Sequence, residues 1–181
     1  MGDIMPEQLR PKIRAIPDFP KKGVVFRDVT TLFKDPHGFS RMIDLLVERY
    51  KDNKPDAIAG IEARGFVIGS ALAHRLGLGF IAIRKKGKLP AEVEFEEYET
   101  EYSTDRIEVH KDAIEPGMNV LIADDLIATG GSLLAACKLI EKLGGKVMEC
   151  CVVIDLPILR GSERIEKAGY KVFKLIDFEG E

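Results

Sequence analysis

The sequence predicts an α/β protein in which a mainly parallel, twisted sheet is flanked by helices. Two observations favour this class: short apolar runs alternate with segments of helical spacing, and the runs are bulky enough for strands buried on both faces. The length of 181 residues and the hydrophobic content of 45% fit one domain, residues 1–181, with a single substantial core. Ligands of such folds bind beyond the carboxyl ends of the strands, so functional residues are expected there.

Apolar spacing and capping residues define the elements in chain order. Asp35 as N-cap and Pro36 as first helical residue start a helix with apolar residues at positions 39, 43, 46, 47 and 50 on one face. Gly77 and Gly144 are expected to end two later helices. The predicted strands are 57–61, 80–84, 119–123, 146–156 and 170–178, and the further predicted helices are 66–76, 133–143 and 162–167.

Charge and hydropathy exclude several classes of protein. Lys and Arg total 27 against 30 Asp and Glu, for a net charge of -3, so no basic field favours nucleic acid or a membrane surface. Residues 1–10 have no leader pattern, and no segment approaches the run of about 18 apolar residues that crosses a bilayer. A cytoplasmic protein is expected. Cys137, Cys150 and Cys151 are interpreted as buried thiols, because their number and spacing suit neither a disulfide framework nor a metal site.

Residues 120–132 contain the strongest functional pattern, in which an apolar strand leads to Asp124 and Asp125 and then to a small turn ahead of a helix. The turn contains Thr129, Gly130, Gly131 and Ser132. Glycine lets backbone amides approach an anion closely, hydroxyl groups add donors, and a helix N-terminus favours negative charge. We therefore expect a phosphate cradle. The preceding carboxylates can accept hydrogen bonds from sugar hydroxyls or help to hold a divalent cation.

Two other glycine patterns do not fit their functions. The 120–132 segment lacks the Gly-x-x-x-x-Gly-Lys-Ser/Thr sequence of a P-loop NTPase. Residues 77–82 match the dinucleotide-binding string G-x-G-x-x-A, but they close a helix and enter a strand, which reverses the required order. An ordinary helix cap after an acidic strand end stays the simple alternative for 120–132.

A second strand, tight turn and helix start lies at 60–66. Arg64 adds a forked guanidinium donor there, and the same segment would otherwise be a capped helix with a surface arginine. Two anion sites at neighbouring strand ends, with Asp124 and Asp125 between them, suit a ligand that has a phosphate at each end and a hydroxylated sugar in the middle. 5-Phosphoribosyl 1-diphosphate has that layout.

Residues 85–106 form a long, charged loop or ribbon, with lysines first and a glutamate-rich stretch after them. A solvated surface is the simple interpretation of such a charge run. Loops of this length in compact domains are frequently lids. A lid would keep water away from a sugar whose anomeric carbon develops oxocarbenium character.

These segments resemble the type I phosphoribosyltransferases, and the Ala-Thr-Gly-Gly-Ser ending at 128–132 resembles their adenine branch. The resemblance runs from Ile16 to the last strand. It is carried by Gly-Val-Val-Phe-Arg-Asp-Val at 23–29, Glu-Ala-Arg-Gly at 62–65, the charged loop, and 120–132. It implies the type I fold with an N-terminal base-binding hood over 1–34 and a flexible catalytic loop over 85–106.

The resemblance also implies residue roles at the base and the diphosphate. Phe26 would stack on a purine while backbone groups of Val25 and Arg27 read its edge. Glu62, Ala63, Arg64 and Lys88 would bind 5-phosphoribosyl 1-diphosphate, with Arg64 and Lys88 helping at the leaving group and Arg64 counted as catalytic.

At the other end of the ligand, residues 128–132 would hold the 5′-phosphate, and Asp124 and Asp125 would orient the ribose. Ala128 stands where 6-oxopurine enzymes typically have an aspartate that exchanges a proton with purine N7. Glu101, which aligns with the family's catalytic glutamate, is therefore the expected general acid/base. Ser132 replaces a threonine of many relatives, and either hydroxyl can donate to phosphate.

The implied reaction is purine salvage: transfer of the 5-phosphoribosyl group to N9 of adenine, which yields AMP and pyrophosphate. Mg²⁺ would act mainly through the substrate, with Asp124 and Asp125 as further candidate ligands. A homodimer is implied, with no nucleic acid or membrane partner. The alternatives are the same chemistry on a 6-oxopurine and a non-catalytic regulator of the same fold that senses nucleotide.

Overall fold

The computed structural model describes residues 6–99 and 104–179. The strands are β1 Arg14–Pro17, β2 Val25–Asp28, β3 Ala57–Ile61, β4 Gly79–Lys85, β5 Val93–Glu99, β6 Thr104–His110, β7 Asn119–Ile127, β8 Lys146–Asp155 and β9 Val172–Asp177. The α-helices are α1 Thr30–Lys34, α2 Pro36–Tyr50, α3 Arg64–Leu76, α4 Gly131–Lys142 and α5 Gly161–Lys167, with short 3-10 helices at Pro6–Lys12 and Pro157–Leu159. Within these ranges, no helix is long and apolar enough to cross a membrane.

The central sheet has seven strands in the order β5, β6, β4, β3, β7, β8, β9. The strands from β4 to β9 in that order run parallel, whereas β5 and β6 form an antiparallel hairpin that extends the β4 edge. β1 and β2 form a separate two-stranded sheet. The predicted mainly parallel α/β class is confirmed. Since β3 and β7 are neighbours, the two predicted anion sites lie side by side at their carboxyl ends.

Apolar side chains on the two faces of the sheet form two hydrophobic clusters. On one face, Ile58, Leu121 and Val153 pack with side chains of α1, α2 and α3. On the other face, Ile122 and Val152 pack with side chains of α4 and α5. Burial of both faces explains why these strands read as continuous apolar runs in the sequence.

Local capping signals set the helix ends as predicted. The Asp35 carboxylate accepts a hydrogen bond from Gly38 N at 2.5 Å, and Pro36 is the first residue of α2. Gly77 ends α3 in the left-handed conformation, with φ of 71°. Gly144, with φ of 84°, follows α4 directly after the C-cap Leu143.

The predicted end of β7 at residue 123 is wrong, because the strand continues to Ile127. β8 pairs with β7 along this extension, with Asp124 opposite Val152 and Ile127 opposite Asp155. Pairing with β8 therefore keeps both aspartates within β7, whereas the sequence analysis expected them after the end of the strand and just before the turn. Pairing between distant strands of this kind leaves no local signal.

Much of 85–106 extends the sheet as the β5–β6 hairpin. Its β5 strand contacts α4, where Glu96 accepts hydrogen bonds from Lys142 Nζ at 2.5 Å and Lys138 Nζ at 3.3 Å. The hairpin therefore leans over the helix that follows the predicted phosphate cradle. The candidate catalytic residue Glu101 lies outside the described residues.

Candidate active site

A cavity of about 460 Å³ opens at the carboxyl ends of β3 and β7. The predicted site residues along its wall are Glu62, Arg64, Asp124, Asp125, Ala128, Thr129, Gly130, Gly131 and Ser132. Further lining residues are Pro20, Lys21 and Val24 before β2, and Lys85, Tyr98 and Glu99 from the edge of the sheet. One cavity thus brings together both predicted anion sites and the paired carboxylates.

The turn from β7 to α4 presents its backbone to this cavity. Gly130 is the N-cap of α4 and has φ of 77°, a left-handed conformation that favours glycine. Because glycine has no side chain to cap the helix, the first amides of α4 are available to a ligand. Amides at a helix N-terminus are typical phosphate donors in proteins, and the hydroxyls of Thr129 and Ser132 lie on the same turn.

Asp124 and Asp125 are buried beneath the cavity, with only 9% and 4% of their surface exposed. Asp125 N donates to Asp124 Oδ1 at 2.9 Å, and Arg64 Nε lies 2.9 Å from Asp125 Oδ2. This last contact is an ion pair by distance, but Asp125 Oδ2 has no hydrogen bond of good geometry within the described part of the chain. Among the ion pairs of the described residues, Arg64 is thus the cation close to this carboxylate pair.

The electrostatics of this pair favour protonation. Burial, followed by the neighbouring Asp125 carboxylate, raises the pKa of Asp124 well above its usual range. Burial also raises the pKa of Asp125, although the Arg64 guanidinium opposes this effect. A ligand that brings hydroxyl donors or a cation to these oxygens would compensate for their lost hydration.

Arg64 links the second anion site to the hood. It is the first residue of α3, directly after the N-cap Ala63. Its guanidinium carbon lies 5.6 Å from the centre of the Phe26 ring, a cation–π distance. The same side chain thus contacts Asp125 and lies over the aromatic residue expected to stack on the base.

Glu62 points its carboxylate toward the base of the hairpin. It accepts hydrogen bonds from Lys85 N at 3.0 Å and from Arg84 Nε at 3.2 Å. Burial raises the pKa of Glu62, but these donors and the nearby cations outweigh it, so the net shift is downward. Lys88 Nζ lies 3.8 Å from Glu62 Oε1, and its side chain is half exposed. Lys88 does not itself line the cavity, but it lies beside Glu62, which does.

The hood residues Val25, Phe26 and Arg27 lie on β2 and are half-buried. The Phe26 ring meets Phe19 edge to face, with the centroids 5.3 Å apart. The Arg27 guanidinium lies 4.5 Å from the Phe178 ring centre. None of these three residues lines the cavity described above. The neighbouring residue Val24 does.

Tyr98 is a site residue that the sequence analysis missed. A Cβ placed on Gly131 would lie 3.3 Å from the Tyr98 ring and 3.2 Å from the Glu99 carbonyl oxygen, so the hairpin closes over the start of α4. The Tyr98 hydroxyl donates to Asp105 Oδ2 at 3.2 Å, and burial with this carboxylate raises its pKa to about 12. Alternation of apolar residues along 93–99 gave no signal for it, since Tyr98 shares its face of β5 with Glu96 while Phe95 is exposed.

Comparison with known proteins shows which family this chain resembles over nearly its whole length. The family model of the phosphoribosyl transferase domain matches residues 28–181. An adenine phosphoribosyltransferase of Chlorobium luteolum is 58% identical over 175 residues, which cover 96% of this chain and 99% of the relative.

Solved structures match over nearly the whole chain as well. Adenine phosphoribosyltransferase from Thermoanaerobacter pseudethanolicus has a TM-score of 0.91 at 48% identity, with 96% of this chain and 100% of that chain covered. The Saccharomyces cerevisiae enzyme, complexed with D-2,5-dideoxy-2,5-imino-altritol 1,6-bisphosphate and adenine, has a TM-score of 0.87 at 40% identity and covers 94% of this chain and 98% of its own.

Proposed function

We infer residue roles from the reaction of the family: this chain belongs to the phosphoribosyl transferase family, in its adenine phosphoribosyltransferase branch, and it forms AMP and pyrophosphate from adenine and 5-phosphoribosyl 1-diphosphate. The observation that carries the assignment of the site is the single cavity in which two anion-binding turns flank Asp124 and Asp125. The yeast relative, whose ligands are a bisphosphate and adenine, supports the same layout. The reaction breaks the bond from ribose C1 to the diphosphate and forms a bond from C1 to adenine N9.

The two anion-binding turns hold the two ends of the substrate in this proposal. Residues 128–132 bind the 5′-phosphate through backbone amides and hydroxyls. Glu62, Ala63 and Arg64 bind the diphosphate, chiefly through amides and the guanidinium of Arg64. Arg64 then stabilises the charge that develops on the leaving group, which is the larger part of catalysis at such sites.

Asp124 and Asp125 accept hydrogen bonds from the ribose hydroxyls. They suit a divalent ion shared with the substrate, because they are buried, hard oxygen donors and, among the described ion pairs, Arg64 is the cation close to them. When bound, Mg²⁺ supplies neutralisation of the leaving diphosphate. We assign the ion mainly to the substrate, with these two aspartates as candidate ligands.

The hood and the lid serve the base. Phe26 on β2 stacks on adenine, and backbone groups of Val25 and Arg27 read its edge, within a hood spanning 1–34. Ala128 has no proton to exchange, so Glu101 on the catalytic loop 85–106 takes the proton from the adenine ring as N9 attacks. Lys88 reaches the diphosphate by leaving Glu62, whose carboxylate is 3.8 Å away. The working protein is a cytoplasmic homodimer of single-domain chains.

The test is AMP formation from 5-phosphoribosyl 1-diphosphate and Mg²⁺, with adenine, hypoxanthine, guanine and xanthine supplied separately. Glu101→Gln is compared with Glu97→Gln, which changes an exposed glutamate on β5. We expect turnover with adenine in the parent protein. Glu101→Gln should lose most of this activity, and Glu97→Gln should keep it. Turnover of a 6-oxopurine would overturn the roles of the hood and Ala128, and no turnover with any base would favour the nucleotide-sensing regulator.

A further inference from the structure

The start of α5 packs against the proposed 5′-phosphate turn, backbone to backbone. A Cβ placed on Gly161 would overlap the carbonyl oxygen of Ala128 and would lie 2.8 Å from Gly130 N. Conversely, a Cβ on Gly130 would lie 2.8 Å from the Gly161 carbonyl oxygen. Only glycine at both positions permits this approach. The turn is therefore supported by a residue about 30 positions later in the chain, which no local motif contains.

Side chains of α5 add two further contacts to the same turn. Arg164 donates to the Thr129 carbonyl oxygen at 3.4 Å. Ile165 is fully buried, and its Cδ1 atom would lie 3.3 Å from a Cβ on Gly130. The turn thus has β7 on one side and α5 on the other, and its amides are oriented by both.

A buried carboxylate fixes α5 in this place. Asp155, at the end of β8, is 0% exposed. Its Oδ2 accepts hydrogen bonds from the Ser162 hydroxyl at 2.8 Å and from Lys174 Nζ at 2.7 Å. Its Oδ1 has no hydrogen-bond partner in the described ranges. Burying a carboxylate is costly unless its partners are held in place, so the Ser162 bond ties the first turn of α5 to the sheet.

We propose that Gly161 and Ser162, anchored by Asp155, are positioning residues for the substrate's 5′-phosphate, an inference that rests on the proposed role of residues 128–132. Gly161 sets how closely the turn at 128–132 approaches α5, and the Asp155–Ser162 hydrogen bond sets where α5 begins. A change at either position moves the amides that point at the phosphate. It leaves the base site and the paired aspartates of β7 in place. The resulting loss of affinity is selective for ligands that carry the 5′-phosphate.

The experiment compares binding of AMP with binding of adenosine in each variant, together with KM for 5-phosphoribosyl 1-diphosphate and kcat. Gly161→Ala is the main variant. Gly169→Ala is the control, since Gly169 follows α5 with φ of 95° and has open space around its Cβ, so alanine strains the other end of the helix without touching the turn. We expect Gly161→Ala to reduce the preference for AMP over adenosine at least tenfold and to raise KM by a similar factor.

The other outcomes separate the alternatives. Equal AMP preference in Gly161→Ala and Gly169→Ala would overturn the proposal, because both would then act through helix stability alone. If Gly161→Ala does not fold, Ser162→Ala decides: a severalfold loss of AMP preference with kcat retained supports positioning, and an unchanged preference refutes it. Ser132→Ala tests the underlying assignment. If that variant also leaves the preference for AMP over adenosine unchanged, the proposed phosphate role of residues 128–132 is refuted, and the inference about α5 falls with it.

Discussion

Asp124→Asn should make the protein more stable and less active. Asp124 is buried beside a second carboxylate, and Arg64 is the cation in close contact with the pair. In the parent, Asp125 N donates to Asp124 Oδ1 at 2.9 Å. The asparagine Oδ1 can accept the same hydrogen bond, so the geometry of the strand end is kept. Removing a poorly compensated buried charge is expected to raise the free energy of unfolding by about 1–3 kcal/mol. Losing a charged acceptor for a ribose hydroxyl costs about 1.5–3 kcal/mol, or roughly ten- to hundredfold in kcat/KM.

The pH dependence provides the sharper measurement. Burial raises the native pKa of Asp124 above its unfolded value of about 3.9, so the native state binds the extra proton. The stability that this proton contributes is complete below the unfolded pKa and is lost as the pH rises through the native pKa. Urea unfolding across the pH range should therefore show a stability advantage of Asp124→Asn that is small in acid and grows toward neutral pH.

A matched control lies at the opposite end of the same sheet. Asp56 is exposed and accepts a hydrogen bond from Asn119 N at 2.7 Å, at the start of β7. Asp56→Asn should leave kcat/KM unchanged and should show no stability advantage at neutral pH. The reasoning would be refuted if Asp124→Asn were destabilised at neutral pH while it retained parent activity, because the carboxylate would then be a structural residue with no cost of burial.

Two further substitutions test the supports of the site and of the core. Glu96→Gln removes a carboxylate whose pKa is lowered by the hydrogen bond from Lys142 and, against the opposing effect of burial, by the one from Lys138. We expect the variant to lose about 1 kcal/mol of unfolding free energy at neutral pH, and this loss to vanish as the pH falls through the native pKa, in urea unfolding at several pH values. If the unfolding free energy of this variant fell with acid just as that of the parent does, the Glu96 ion pairs would not be the cause of the loss. Tyr50→Phe removes the hydroxyl that donates to the buried Glu149 carboxylate at 2.6 Å, and should cost about 1.5–3 kcal/mol with kcat unchanged. An unaltered melting temperature would show that this bond contributes nothing.

Sequence reasoning predicted what neighbouring residues determine. The Asp35 cap, the Gly77 helix end and the strand–turn–helix pattern at 120–132 are local, and the structure has all three. The predicted end of β7 was wrong, because the strand is extended by pairing with β8. Tyr98 was missed because its place depends on how a hairpin leans on α4, to which the chain returns only later. Contacts between distant segments leave weaker patterns than caps and periodicity do.

Close backbone approaches connect these local motifs into one site. A Cβ on Gly65 would lie 2.6 Å from the Ala123 carbonyl oxygen, so the proposed diphosphate turn packs directly on β7. The 5′-phosphate turn is seated in the same way on α5, through Gly130 and Gly161. The distance between the two anion sites is therefore set by contacts that have no adjustable side chain. The hairpin, in contrast, pairs with β4 through β6, and its outer strand β5 contacts α4 partly through the side chains of Glu96, Lys138 and Lys142. Because a substrate with two phosphates requires a fixed distance between its two anion sites, substitutions at these glycines should alter substrate binding, whereas substitutions on the outer face of the hairpin should be tolerated.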